Sequence, residues 1–232
     1  MKSKSTFKIL ILVSILAVPG FLFFYLLPHY AKNRYKRLPF FGEKQVASTF
    51  RMVRGDKIPD TVYHEVPDFN FENQKGDTIS WDQYKDKLII INLFYVNSPI
   101  TVANQNLKKI ATGYLRNKLI HFISISVDPS DHQKQLGEYA AKMNLPADKW
   151  NFLSGDTTSV YRFVRKGLLL DVVDHQKDAI GKIIYSNEVL LLDNQHRIRG
   201  FYDATNDEAM SKLDDEIKVL VAEDLRGIKD GR

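Results

Sequence analysis

Residues 88–99, Leu-Ile-Ile-Ile-Asn-Leu-Phe-Tyr-Val-Asn-Ser-Pro, decide the fold of this chain. The part up to Val96 is an apolar run rich in branched side chains, which is typical of a central β-strand buried on both faces. Asn97 and Ser98 end the run, and Pro99 is well placed for the start of a helix. The stretch therefore predicts a buried strand, a short loop and then a helix.

Strands and helices continue to alternate on both sides of this stretch. Short strands are predicted before a turn at Lys75-Gly76-Asp77. Further strands are predicted at 119–127, at 150–153 and in a hairpin made of 181–192 and 198–203. Helices are predicted at 131–143, 157–166 and 207–222. This order of elements predicts an α/β fold with a mixed central sheet flanked by helices.

The N-terminal part of the chain contains a long apolar stretch at 7–27, with Lys8 as its one charge. As a helix it would span roughly 30 Å, the thickness of a bilayer's hydrocarbon core. A cleaved signal peptide is the alternative, but 17–19 (Ala-Val-Pro) is a poor cleavage site and the apolar run continues past it. We predict an uncleaved transmembrane helix, Phe7–Leu27. Basic residues flank it almost equally, so charge does not decide its orientation.

Composition divides the chain into an anchor at 1–28, a basic tether at 29–60 and a folded domain at 61–232. The net charge is +5, but seven basic residues lie in the first 37 positions, so the rest is slightly acidic. That distribution argues against binding to nucleic acid, which needs a basic face on the folded domain. The chain has no cysteine, which excludes disulfides, thiolate metal sites, thiol nucleophiles and a lipoprotein anchor.

Five stretches of the sequence occur together in an order that is typical of one family. They are 94–103, 122–131, 150–156, 185–193 and 197–203. Together they resemble the SCO/SenC family, copper-handling proteins of thioredoxin-like fold that are tied to cytochrome oxidase assembly. The resemblance extends from about residue 67 to the C-terminus and implies a thioredoxin-like fold for the domain.

The departures from the family pattern fall on its copper site. The resemblance places the two ligand cysteines at Ser98 and Val102 and the ligand histidine at Tyr185. Soft Cu(I) favours thiolates and imidazole, whereas a hydroxyl, a valine and a neutral phenol are poor or absent donors. We therefore expect no bound copper, no other cofactor and no thiol–disulfide exchange. The protein is expected to have no catalytic residue and not to be an enzyme.

The same positions suggest a binding groove rather than a reactive site. Tyr95, Asn97, Ser98, Pro99 and Tyr185 are expected to line it. Ser98 could also be read as a nucleophile, but no histidine adjoins it in sequence to act as a base. A helix cap before Pro99 explains it more simply.

Other polar side chains offer weaker candidates. His175, with Asp174 and Asp178, could replace a lost metal ligand if its polar segment folds near the old site. Asp128 and Asp131 could form a carboxylate pair, although the first suits a strand end and the second a first helical turn. The remaining histidines have no ligand spacing and are interpreted as surface or strand residues: His29, His64, His121, His132 and His196.

Taken with the resemblance, these features predict a single-pass protein of the inner membrane with its C-terminal domain in the periplasm. It would act by binding, as a scaffold or partner protein in respiratory oxidase assembly or copper handling. The alternative is a working copper chaperone or thioredoxin-like oxidoreductase with non-standard ligands such as His175 and Tyr185.

Overall fold

The structure is a computed structural model that describes residues 3–26, 37–53, 56–98, 102–177 and 183–226. The chain divides into two compact units, Met1–Lys36 and Arg37–Arg232. The first contains helix α1 (Ser3–Phe21), followed by a π-helical turn at Leu22–Leu26. Among the described residues, no helix combines the length and the apolar character that crossing a membrane requires.

The second unit begins with a β-hairpin inside the stretch predicted to be a tether. Strands β1 (Lys44–Val53) and β2 (Asp56–Tyr63) pair antiparallel as a two-stranded sheet. The register shifts between Val46 and Phe50, and such a bulge breaks the two-residue alternation by which strands are recognised in a sequence. The segment 29–60 is therefore not simply a tether, because most of it from residue 44 onward is strand.

The remaining elements follow the predicted order with two differences: a strand at 172–177 was not predicted, and the strand predicted at 181–192 is divided into two that belong to different sheets. The strands are β3 (Phe71–Asn73), β4 (Thr78–Ile79), β5 (Leu88–Phe94), β6 (Ile120–Ser126), β7 (Trp150–Ser154), β8 (Val172–Lys177), β9 (Ile183–Tyr185), β10 (Glu188–Leu192) and β11 (Ile198–Asp203). The helices are α2 (Val102–Gly113), α3 (Gln133–Met143), α4 (Thr157–Arg162) and α5 (Asp207–Leu225). A 3₁₀ turn at Trp81–Tyr84 precedes β5, and a π-helical turn at Phe163–Gly167 extends α4.

Seven strands form the central sheet, in the order β11-β10-β5-β6-β7-β3-β4. Strands β5, β6 and β7 are parallel, whereas β10, β11, β3 and β4 join antiparallel. The sheet is therefore mixed, and the α/β, thioredoxin-like prediction is confirmed. Strands β8 and β9 pair separately.

Strand β5 lies at the centre of the core, as its sequence predicts. All seven of its residues are buried. Ile89, Ile91 and Leu93 belong to one hydrophobic cluster, and Leu88 and Ile90 to a second. Because side chains alternate between the faces of a strand, the two clusters lie on opposite sides of the sheet. One apolar run thus supplies both layers of the core.

A buried group of charged side chains joins the N-terminal end of the second unit to the sheet; we call Asp193, Arg197, Arg199 and Glu223 the arginine clamp. Arg197 lies 2.9 Å from Asp193, and Arg199 lies 2.7 Å from Glu223. Arg199 also donates to the Leu38 carbonyl at 2.8 Å, while the Leu38 N–H donates to Glu223 at 3.0 Å. These contacts fix the chain around Leu38 to the domain, which the sequence did not lead us to expect.

Candidate functional site

The fold brings together Ser98 and Tyr185, two of the positions at which the family resemblance predicts copper ligands. Ser98 follows β5, and Tyr185 ends β9 just before β10, which is the antiparallel neighbour of β5. The Ser98 Oγ and Tyr185 Oη atoms are 3.2 Å apart and share a hydrogen bond. Two residues distant in sequence therefore meet at one end of the central strands.

Aromatic packing surrounds this hydrogen bond. The Tyr95 ring is buried and meets the Tyr185 ring edge-on, with centroids 5.8 Å apart. Burial raises the pKa of Tyr185, and the hydrogen bond with Ser98 partly opposes that rise. The phenol therefore keeps its proton at neutral pH. Asn97 is exposed, and the Val102 side chain is 47% exposed.

Asp131 holds the loop that carries Ser98. Its buried carboxylate accepts a hydrogen bond from the Val96 N–H at 2.8 Å and from the Ser126 hydroxyl at 2.6 Å. Burial raises the pKa of Asp131, although both hydrogen bonds oppose that rise. Asp131 thus acts on the loop after β5 rather than in the first turn of α3, which begins at Gln133.

Asp128 and Asp131 do not form a carboxylate pair. The Asp128 side chain accepts hydrogen bonds from the N–H and the hydroxyl of Ser130, at 2.9 and 2.6 Å, whereas Asp131 binds the partners given above. Asp128 closes a local turn at the end of the strand, in agreement with its structural interpretation. The expectation that Asp131 lies in the first turn of the next helix is wrong, because its carboxylate binds the loop after β5.

A buried polar chain fixes the start of α2 beside the site. Asn92 donates to Asn104 at 2.7 Å, and Asn104 donates to the Tyr139 hydroxyl at 2.7 Å. Ser124 donates to Asn92 at 2.5 Å and accepts from the Trp150 indole at 2.8 Å. We did not predict these contacts. The signal was Asn92 itself, the one polar residue within the strand, since a buried amide needs partners.

Histidines do not gather at the site in the described part of the chain. His64 Nε2 lies 2.8 Å from the Gly167 carbonyl, and the His196 ring stacks on Trp81 at 4.0 Å. Burial lowers the pKa of His121 and of His196. His132 precedes α3 without a side-chain cap bond. None of these rings is in a position to act as a base for Ser98 through the contacts found.

The predictions on His175 are not tested. The residue lies in β8, but its side chain and that of Asp174 lie outside the described residues, as does Asp178. Pro99 and His29 lie outside them too, so the cap prediction for Ser98 also stays a prediction. Elsewhere in the described chain, no three side chains of histidine, aspartate or glutamate come together as a metal site.

This domain is a thioredoxin-like α/β unit with two hydroxyl groups at the end of its central strands. The model of the SCO1/SenC family matches residues 59–221, which is most of the chain. The chain therefore belongs to the SCO1/SenC family. With no cysteine at any position, it is a degenerate member that lacks the Cys-Cys-His ligand set.

Known relatives support the assignment. The SCO1 protein homolog of Bacillus subtilis is 33% identical over 111 residues, which cover 45% of this chain and 56% of that protein. The match thus spans little more than half of the relative's length. The relative supports the family, and the activity of the whole protein does not follow from it.

Solved structures agree with the fold. BsSco, a member of the Sco family of cytochrome c oxidase assembly proteins with a disulfide switch, has a TM-score of 0.58 at 22% identity, covering 67% of this chain and 92% of that one. ScoI of Arabidopsis thaliana, solved with copper bound, has a TM-score of 0.54 at 18% identity, covering 69% and 98%. At these identities the likeness shows the fold alone.

The side chains at the site do not fit a copper ion. Ser98 and Tyr185 offer neutral hydroxyls that are already hydrogen-bonded to each other, and Val102 offers no donor. Cu(I) is a soft ion that selects thiolate and imidazole ligands. Burial also raises the pKa of the Tyr185 phenol, which opposes its ionisation to an anionic ligand.

Proposed function

We propose that this protein is a membrane-anchored, non-redox binding or scaffold partner in respiratory cytochrome oxidase assembly or copper handling, with its copper site lost. The observation that carries the proposal is the hydrogen bond between Ser98 and Tyr185. It joins two neutral oxygens where the family resemblance implies a thiolate and an imidazole. The framework of the family is retained, and the metal chemistry is replaced.

The binding surface is the groove around that hydrogen bond, lined by Tyr95, Asn97, Ser98, Pro99 and Tyr185. Tyrosine suits such a surface because it supplies apolar area and a hydrogen-bonding hydroxyl together. Asn97 is exposed, whereas Tyr95 is buried beneath it in the core. A protein partner would contact Asn97 and the rim and leave the buried aromatic rings in place.

The anchor is the N-terminal helix, with residues 1–28 in the membrane, 29–60 as a connection that includes β1 and most of β2, and 61–232 as the functional domain. Support comes from the apolar sequence of 7–27 and from the large side chains of α1 and its π-helical turn, which are exposed. Among them are Phe7, Leu12, Phe23 and Phe24, at 66, 71, 66 and 87%. The protein would cross the inner membrane once, with its domain in the periplasm.

A strain lacking the gene tests the proposal through the amount of assembled oxidase in its membranes. We expect oxidase to fall, and added copper not to restore it, because a scaffold is not replaced by its metal. Recovery of oxidase in the deletion strain on added copper would contradict the proposal.

A surface variant tests the groove itself. Asn97→Arg places a long charged side chain on its exposed rim and should fail to complement the deletion. Thr78→Arg is the matched control, because Thr78 is equally an exposed polar residue but lies in the edge strand β4. Equal complementation by both variants would show that the groove does not bind the partner.

A further inference from the structure

The β1–β2 hairpin has one face on which apolar and basic side chains lie together; we call Phe50, Met52, Lys57 and Pro59 the hairpin face. Phe50 is paired with Pro59 and Met52 with Lys57, and directly paired residues of antiparallel strands share a face. Phe50 is 52% and Met52 60% exposed. The Lys57 ammonium lies 4.6 Å from the centre of the Phe50 ring.

The base of the hairpin is fixed to the domain. Tyr63, the last residue of β2, stacks on Phe40 with ring centroids 4.1 Å apart. The Arg197 guanidinium of the arginine clamp lies 4.6 Å from the Phe40 ring, and the His64 N–H donates to the Glu43 carbonyl at 3.1 Å. The hairpin is thus held at one end, and its exposed apolar face has no role in this attachment.

Charge is distributed unevenly along the chain. Residues 29–60 contain eight basic and three acidic residues, whereas 61–232 contain 22 basic and 25 acidic ones. Attraction to an anionic surface therefore comes from the segment that includes the hairpin and not from the rest of the domain. Basic residues near an anionic bilayer each add to its affinity, and the acidic remainder is repelled from it.

We propose that the hairpin face binds the anionic surface of a lipid bilayer and lies in its headgroup layer. The inference rests on the proposed membrane anchoring. Apolar side chains flanked by a cation are the pattern of segments that bind in the plane of the interface. Unpaired backbone groups at the two strand edges limit the hairpin to this layer, because hydrocarbon cannot satisfy them.

The absence of cysteine allows each position to be spin-labelled alone in the full-length protein. Met52→Cys places a label on the hairpin face, and Ile58→Cys is the matched control on the opposite face, since Ile58 pairs with Arg51. In vesicles of phosphatidylcholine with phosphatidylglycerol, the label at 52 should be protected from a water-soluble nickel relaxation agent. The label at 58 should stay accessible to it.

A second substitution tests the electrostatic part. Lys57→Gln should reduce the ratio of membrane-bound to unbound hairpin, reported by the label at 52, about fivefold, the effect of one basic residue near an anionic surface. In vesicles of phosphatidylcholine alone, the label at 52 should likewise be less protected from the nickel agent. Equal accessibility of the labels at 52 and 58 in anionic vesicles would overturn the inference, as would protection unaffected by lipid charge.

A label in the apolar helix separates this inference from the anchor on which it rests. Leu12→Cys should be accessible to oxygen and protected from the nickel agent in the same vesicles. If position 12 is inserted while position 52 remains in water, the hairpin inference alone is wrong. If position 12 also remains in water, the proposed anchor fails as well.

Discussion

The two ends of the β5–β10 strand pair differ in the chemistry that their residues present. At the end near Leu88 and Leu192, the arginine clamp buries four charged side chains that bind one another. At the other end, Ser98 and Tyr185 share one hydrogen bond between neutral groups. Buried charges thus stabilise the sheet at one end, while the other end presents neutral hydroxyls where the family resemblance predicts copper ligands.

The largest effect on stability is expected at the clamp. Arg199→Ala leaves Glu223 buried without a counter-charge and removes one of the two arginines that bind Asp193. Breaking a buried ion pair in this way costs about 3–5 kcal/mol. The free energy of unfolding in urea, measured on the full chain in detergent, checks this value.

An exposed ion pair provides the control for that measurement. Lys218 lies 2.7 Å from Asp214 on the surface of α5, and solvent screens such exposed pairs so that they contribute little to stability. Lys218→Ala should therefore leave stability almost unchanged. If Arg199→Ala proves as mild as this control, the clamp does not hold the framework.

An intermediate effect is expected for Asn92, which lies in β5 between the two ends. Asn92→Ala removes the partner of both Ser124 and Asn104, and each buried group left unpaired costs about 1–3 kcal/mol. The same urea measurement checks the loss, with Asn97→Ala as an exposed control. A loss no greater than that control would show that the polar chain contributes nothing.

The smallest effect is expected at the site. Loss of the half-buried hydrogen bond to Tyr185 in Ser98→Ala should cost about 0.5–1.5 kcal/mol. Because that bond lowers the pKa of Tyr185 while burial raises it, the substitution should raise this pKa further. Titration of tyrosine ring signals by NMR measures the change. An unchanged or lower pKa would mean that the two hydroxyls do not interact in solution.

The sign of the pH dependence follows from the same shift. In the unfolded state Tyr185 loses its proton near the ordinary tyrosine pKa of 10.0, whereas in the folded state its pKa is higher. Between these two pH values the folded protein still holds the proton. The resulting stabilisation is complete below pH 10 and is lost as pH rises through the folded-state pKa. Tyr185→Phe should therefore reduce the loss of stability on going to strongly alkaline pH.

Much of the fold could be predicted because it follows from local patterns. The apolar run of β5, the buried strand β6 and the Gly76 turn each have a signature within a few residues. Gly76 has a φ of +88°, a conformation that glycine adopts without strain. The hairpin at 44–63 was missed because its bulge interrupts the alternation that marks a strand.

Contacts between distant residues could not be predicted in the same way. Arg199 lies in β11, but nothing in the sequence indicates that Glu223 and Leu38 meet it. At the site, the family resemblance indicated that Ser98 and Tyr185 occupy the positions of two copper ligands. That the two side chains share a hydrogen bond follows only from the structure. The role of Asp131 in holding Val96 likewise depends on a contact across 35 residues.

Titration of the full chain with Cu(I), in competition with a Cu(I)-selective chelator, tests whether the copper site is lost. The triple variant Ser98→Cys/Val102→Cys/Tyr185→His restores soft donors at the three positions and serves as the comparison. We predict that the natural chain leaves the chelator complex unchanged, while the triple variant withdraws copper from it. Stoichiometric withdrawal by the natural chain would contradict the loss of the copper site.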